Sequence, residues 1–416
     1  MEVVHARCCG LDVHKKSISA CVVVRESGNV SKLEQRFGTY TGQLEELASW
    51  LEEQNVTHVV MEATGVYWRP VWNVLEGRFE LMLVNPQHVK ALSGKKYDRG
   101  DAAHLAELHQ HGLLRGSYIP SVEIRQLRDL TRNRARTVQE TVRIQNRIHK
   151  ILEECNIKLG SVASDSLGVS GRAMLGAIIG GEQDPVKLAD LARGKLKNKR
   201  DQLVLALTGR ISDHHRRMLD KLLRSLEVRE REIAEDERDI RRQVEPFAKT
   251  VQAWMQLPGI DEVTAWSLVA EMGPDMDPFP GAGEAASWSC VCPGNHESAG
   301  KQSNGRTRQG NPWLRSTICQ AAWGAAHTRK SYFHAQFNRI CPRRGPQRAL
   351  LAVAHSMIVA GFYLIKYNLE YKDLGADFFD HRNREHSARR AIKRLNQLGY
   401  TVTVEQDPTH NVRALA

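Results

Sequence analysis

The sequence predicts an α/β region followed by a mainly α-helical remainder, and three observations carry that reading. Short β-branched and apolar runs crowd residues 1 to about 115, among them Val22-Val23-Val24, Thr57 to Ala63 and Phe79 to Val84. Two long stretches with helical spacing of apolar residues, about 121–156 and 212–245, fill the middle. Pro246 and Pro258 then introduce a third, helical region that runs to about residue 370. The 416 residues suit two or three domains. We divide them at 1–115, 116–255 and 256–370, with a basic tail at 371–416 holding Arg382, Arg384, Arg389, Arg390, Lys393 and Arg394.

Within the first region, Cys8 to Val13 and Ser17 to Arg25 read as strands. His14-Lys15-Lys16 is the polar break of a hairpin between them. Helical patterns lie around Leu44–Glu52 and Arg99–His111. In the middle region, alternating charge from Glu227 to Arg242 marks a solvent-exposed or coiled-coil helix. Gly160 to Gly181, rich in Ser and Gly, reads as a turning or mobile stretch. No internal repeat is present.

Composition narrows the classes. With 41% hydrophobic and 26% charged residues the chain reads as globular, neither disordered nor collagenous. The longest apolar stretch, Ala349 to Ile365, is interrupted by His355, Ser356 and Gly361, so no membrane span and no membrane partner is expected. The first residues lack a basic segment followed by an apolar core, and a cytoplasmic location is expected. The eight cysteines show no even framework and no C-x-x-C pair, which reads as reduced thiols; Cys290-Val291-Cys292 lacks the second half of a metal site.

The excess charge is concentrated. From Ser298 to Leu369 there is no Asp or Glu, yet there are eleven basic residues, among them Lys301, Arg306, Arg308, Arg315, Arg329, Lys330, Arg343, Arg344 and Arg348. These eleven account for the whole net charge of +11. An acid-free basic surface repels itself and suits a polyanion; the alternative is a solvated face whose acids come from elsewhere in the fold. The helix at 121–156 carries Arg125, Arg128, Arg132 and Arg136 on what reads as an outer face, suited to phosphate backbones of DNA or RNA.

Four carboxylates have a reason to meet. Asp12 ends the run Cys8-Cys9-Gly10-Leu11-Asp12-Val13, and Glu62 ends Val59-Val60-Met61-Glu62. A carboxylate at the end of a buried strand is costly unless paired or metal-bound. Asp98 and Asp101, spaced i, i+3, share one face of a helix start. Each also has a plain structural reading: Asp98 as an N-cap with Asp101 three residues on, Glu62 as a satisfied buried acid, Asp12 as a turn residue. Together, four oxygen donors can hold two magnesium ions and stabilise phosphoryl transfer.

The blocks Gly10-Leu11-Asp12-Val13-His14-Lys15, Met61-Glu62-Ala63-Thr64-Gly65 and Lys96-Tyr97-Asp98-Arg99-Gly100-Asp101-Ala102 resemble those of the DEDD insertion-sequence transposases, which are bridge-RNA-guided serine recombinases related to Piv-type DNA invertases. That resemblance implies a RuvC-like, ribonuclease-H-fold N-terminal domain, a helical coiled-coil middle and a mainly helical C-terminal transposase domain. It implies that Asp12, Glu62, Asp98 and Asp101 bind Mg2+.

In the third region, Leu257-Pro258-Gly259-Ile260 looks like a helix-hairpin-helix turn able to cradle phosphate. Ser298 follows in a Gly-rich loop, flanked by Lys301 and the Arg306-Thr307-Arg308 run; it could be an ordinary loop serine or a nucleophile, and Ser303 is its nearby rival. Gly310-Asn311-Pro312-Trp313-Leu314-Arg315 also resembles the family's C-terminal domain. The resemblance implies Ser298 as the residue that joins covalently to DNA, a noncoding guide RNA alongside donor and target DNA, and a homo-oligomer built as a tetramer from two dimers. The competing reading is a metal-dependent, structure-specific nuclease akin to a junction resolvase, with water as the attacker; a binding protein with a defunct site is a third.

Overall fold

The computed structural model describes residues 3–26, 29–92, 101–293, 296–298, 301–304, 307, 310–379 and 384–403. They fall into two compact units, Met1–Pro120 and Ser121–Ala416.

The first unit is a mixed five-stranded sheet with helices on both faces. Strands β1 (Arg7–Val13), β2 (Ile18–Glu26) and β3 (Asn29–Phe37) form an antiparallel meander. Strands β4 (His58–Glu62) and β5 (Glu80–Val84) add in parallel beside β1, giving the order β3-β2-β1-β4-β5. Helix α1 (Thr41–Glu53) connects β3 to β4 and α2 (Trp68–Leu75) connects β4 to β5; α3 (Pro86–Leu92) and α4 (Asp101–Gln110) follow.

Side chains alternate across the sheet. Cys9, Leu11, Val13, Val22, Val59 and Met61 bury into a core with Leu44, Leu47 and Leu51 of α1 and Trp72 and Leu75 of α2. On the other face, Cys8, Cys21 and Val23 lie under Ala102, Ala103 and Ala106 of α4, while Val60 and Val84 meet Val89 and Leu105. Burial on both faces explains the unbroken apolar runs. Strand β3 was not anticipated, because it is an edge strand whose residues are exposed except for Phe37 and whose sequence is accordingly polar.

The second unit is built on two long helices, α5 (Val122–Glu154) and α10 (Asp213–Val244). They run antiparallel: Asn133 donates to Asp236, Arg134 pairs with Glu237 at 2.6 Å and Arg229 with Glu140 at 3.7 Å. Helices α6 (Leu159–Val162), α7 (Val169–Ile179), α8 (Pro185–Asp190) and α9 (Arg200–Leu207) close one end. There Met174, Leu175 and Ile178 of α7 pack with Ile148, Leu152, Leu219 and Leu222. Much of the Ser/Gly-rich stretch is therefore helix rather than a mobile turn.

At the other end Ile124, Leu127, Ile240 and Val244 join a core with α11 (Ala248–Met255), α12 (Glu262–Met272), α13 (Ala282–Trp288), α14 (Pro312–His327), α15 (Tyr332–Arg344) and α16 (Pro346–Lys366). Residues 116–255 and 256–370, read separately in the sequence, thus meet in one core. Strands β6 (His296–Ser298) and β7 (Lys301–Asn304) form a small hairpin, and α17 (Arg384–Gln397) lies in the tail.

Helix α16 is more continuous than its interrupted sequence suggests. By length and composition it is apolar enough to cross a membrane. It is a core helix here: Ala349, Val353, Ala354, Met357, Ile358 and Phe362 are buried against the surrounding helices. All eight cysteines are free thiols.

Candidate active site

The parity of the sheet brings the acids together. Cys8, Gly10 and Asp12 share the face of β1 that looks toward α4. The parallel register pairs Gly10 with Val60 and Leu11 with Met61, so Asp12 continues it opposite Glu62. Gly10 makes the close approach possible: a Cβ there would sit 2.2 Å from the Ala102 carbonyl oxygen and 2.6 Å from the Ala106 nitrogen. Helix α4 therefore rests directly on β1 and delivers Asp101, its first residue, over the strand ends. A cleft of about 310 Å³ is lined by both Asp12 and Asp101, with Ser19, Cys21, Glu34 and Arg36.

Electrostatics report the same gathering. Burial raises the Glu62 pKa, and the Asp101 and Asp12 carboxylates raise it further, while Lys90 of α3 opposes them. Three acids from separate segments thus share one neighbourhood. The fourth, Asp98, lies outside the described residues. Among the described residues no three His, Cys, Asp or Glu groups converge as a ready-made metal cage. The donor chemistry nevertheless fits a hard divalent cation, because crowded carboxylate oxygens lose their repulsion to such an ion.

Two neighbours escaped the sequence reading. His14 Nε2 lies 3.0 Å from Asp12 Oδ2. Its position two residues beyond Asp12, just past the end of β1, was the available signal. Lys90 had none, since α3 joins this site only through the fold.

Ser298 ends β6 and pairs with Lys301 across the hairpin, so it sits on a strand end rather than in a loop. Ser303 lies on β7. Arg306 and Arg308 are outside the described residues, as are the side chains of Ser298 and Lys301. The hairpin leads into α14 through Asn311, whose side chain caps the helix by accepting from the Trp313 and Leu314 amides and also donates to Glu271.

Glu271, 2% exposed, changes the arginine picture. Arg132 donates to both its carboxylate oxygens, at 2.7 and 2.8 Å, and Arg128 lies 3.5 Å from it while also donating to the Ala270 and Glu271 carbonyls. Arg128 and Arg132 are therefore turned into the core and not onto an outer face. The sequence signal was an acid inside the apolar run Trp266 to Met272, facing arginines one turn apart on α5. Arg136 is exposed and lies over the Trp313 ring at 5.3 Å; Arg125 and Arg315 are half-buried. Among the described residues, the exposed basic residues of the acid-free segment are Arg329, Lys330, Arg339, Arg343, Arg344, Arg348 and Lys366, the last paired with Asp277. Of these, Arg343, Arg344 and Arg348 cluster at the α15–α16 corner with no ion pair among the described residues.

The Pro258-Gly259 turn is less open than a phosphate cradle requires. Gly259, at φ +82°, packs on α14, and the start of α12 is capped by the Asp261 carboxylate accepting from the Thr264 amide.

Comparison with known families decides the identity. Residues 9–157, which span Asp12, Glu62, Asp98 and Asp101, match the transposase family model DEDD_Tnp_IS110. Residues 251–338, which span Ser298, match the model described as Transposase IS116/IS110/IS902 family. The chain is an IS110-family transposase. It is also 25% identical over 302 residues, 71% of this chain and 74% of the other, to the transposase for insertion sequence element IS1111A of Coxiella burnetii (strain RSA 493 / Nine Mile phase I). A transposase binds, cuts and rejoins DNA, and DEDD transposases depend on divalent cations.

Proposed function

We propose that this transposase mobilises its insertion sequence by a covalent phosphoserine route, with Mg2+ at the acid cluster and a noncoding guide RNA choosing the sites. The reading is carried by the assembly of Asp12, Glu62 and Asp101 at one end of a mixed five-stranded sheet, which we infer to be ribonuclease-H-like. Asp12, Glu62, Asp101 and Asp98 would hold the cation; when bound, it would neutralise charge on the reacting phosphate. His14 orients the Asp12 carboxylate and Lys90 tempers the charge around Glu62. The Ser298 hydroxyl loses its proton and forms an O–P bond as the bond to the departing strand oxygen breaks, and that oxygen takes up a proton. Attack by a second strand's hydroxyl on the phosphoserine then releases Ser298 and joins the strands.

Exposed Arg136, Arg143 and Arg147 of α5 and the arginine corner Arg343, Arg344 and Arg348 would contact nucleic-acid backbone. Lys301, Arg306, Arg308 and Arg315 would stand near the reacting phosphate, while Arg125 flanks the helix start. Strand exchange requires more than one active site, which favours a dimer or a pair of dimers. If sequence choice is delegated to RNA pairing, the protein reads backbone shape.

The test is direct. Purified transposase is incubated with guide RNA, end-labelled DNA carrying the insertion junction, and magnesium, then run on a denaturing protein gel. Label migrating with protein, lost in Ser298→Ala and retained in Ser303→Ala, supports the proposal. Cleaved DNA without protein-bound label that persists in Ser298→Ala overturns it in favour of a water-using nuclease.

A further inference from the structure

Trp323 on α14 is 52% exposed, the one tryptophan among the described residues with more than half its surface in solvent. An exposed indole presents a large flat face on which another ring can stack. Its ring is held rather than loose. Phe337 of α15 meets it edge-on, with centroids 6.1 Å apart at 89°, and His327, one turn along α14, lies 4.5 Å away. The His327 ring is itself fixed by an Nδ1 contact of 2.7 Å to the Trp323 carbonyl oxygen.

The surroundings identify the occupant. Helix α14 lies within the stretch from Ser298 to Leu369 that contains no acid. Arg329 and Lys330 follow directly after α14, both exposed and with no ion pair among the described residues. The neighbouring Gly324 abuts the Pro258-Gly259 turn, with only 3.2 Å from a Cβ built there to the Gly259 Cα. A flat, fixed aromatic ring on a helix that is followed at once by two exposed cations, without an ion pair among the described residues, matches a planar base flanked by phosphates. A duplex presents no such free face, because its bases are already stacked.

We propose that Trp323, assisted by His327, is a stacking platform for an unpaired nucleobase, with the adjoining phosphates over Arg329 and Lys330. This rests on the transposase reading and adds a binding site for single-stranded nucleic acid. The ligand is defined by chemistry shared between DNA and RNA: an unstacked base with anionic backbone on either side.

The test measures binding of fluorescein-labelled oligothymidylate, oligouridylate, an abasic strand of equal length and a blunt DNA duplex to the full-length wild type, Trp323→Leu and Trp323→Phe. Stacking is worth about 1–3 kcal/mol per base, so Trp323→Leu should weaken binding to a base-bearing strand by about 5- to 150-fold. Trp323→Phe should retain most of it. Duplex and abasic binding should be unchanged, and whichever base-bearing strand shows the larger loss names the occupant. Equal affinity in Trp323→Leu overturns the proposal, as does an equal loss for all four probes. A change in oligomer mass by light scattering with unchanged binding also overturns it, in favour of a contact with a second copy. If the wild type binds none of the probes, the nucleic-acid reading itself fails, which differs from a wild type that binds and a variant that binds equally.

Discussion

Replacing Gly10 by alanine probes the geometry that brings the acids together. The added Cβ would lie 2.2 Å from the Ala102 carbonyl oxygen, where ordinary contact begins near 3.4 Å. Helix α4 must therefore lift by about 1.2 Å, and both contacts are backbone atoms that cannot rotate away. Asp101 is the residue next to Ala102 and moves with it. Overpacking of this kind costs about 1–3 kcal/mol, and a misplacement of about 1 Å at a reacting site costs on the order of a hundredfold in rate. Gly10→Ala should thus lose about 1–3 kcal/mol in urea unfolding and about a hundredfold in single-turnover, cation-dependent DNA cleavage. Gly42→Ala is the control, since nothing lies within 4 Å of a Cβ at that position. It should leave cleavage unchanged. Wild-type stability and cleavage in Gly10→Ala would refute the claim that α4 must rest on β1 for the site to work.

Three further outcomes follow from the packing. Glu271→Ala leaves the guanidiniums of Arg128 and Arg132, 18% and 23% exposed, without their shared buried partner, and should cost about 3–5 kcal/mol in chemical denaturation; a loss below about 1 kcal/mol would contradict the network. His109 is pushed down to about 4, first by burial and then by His5 and His58, against an ordinary value of 6.5. A depressed histidine contributes stability that is full above pH 6.5 and is lost as pH falls toward 4, by up to about 3 kcal/mol. Stability measured across that window should flatten in His109→Leu, and an unchanged slope would exclude His109 as the source. Changing Arg343, Arg344 and Arg348 to glutamine should lower the slope of log affinity for duplex DNA against log salt by about 0.9 for each phosphate no longer neutralised, whereas an unaltered slope would place the backbone elsewhere.

The sequence was most readable where one side chain's neighbours are its own strand or helix. The β1–β2 hairpin, the two long helices and the strand-end acids all declare themselves through periodicity and through the cost of a buried charge. Packing between distant segments was harder to read. Strand β3 hides because an exposed edge needs no apolar pattern. Arg128 and Arg132 look like outward cations in a single helix, and only the packing of α12 against α5 shows that Glu271 claims them. Helix α16 reads as interrupted by His355 and Ser356, yet a buried helix tolerates such residues on its less buried side. Lys90 illustrates the same limit at the active site, since nothing near it in the chain marks it as a neighbour of Glu62.

Calorimetric titration of manganese or magnesium into the metal-free transposase tests the central claim most directly. The account predicts binding in the wild type that Asp12→Asn, Glu62→Gln and Asp101→Asn each abolish or weaken sharply while circular dichroism stays native. Cation binding that persists undiminished in all three variants would contradict it.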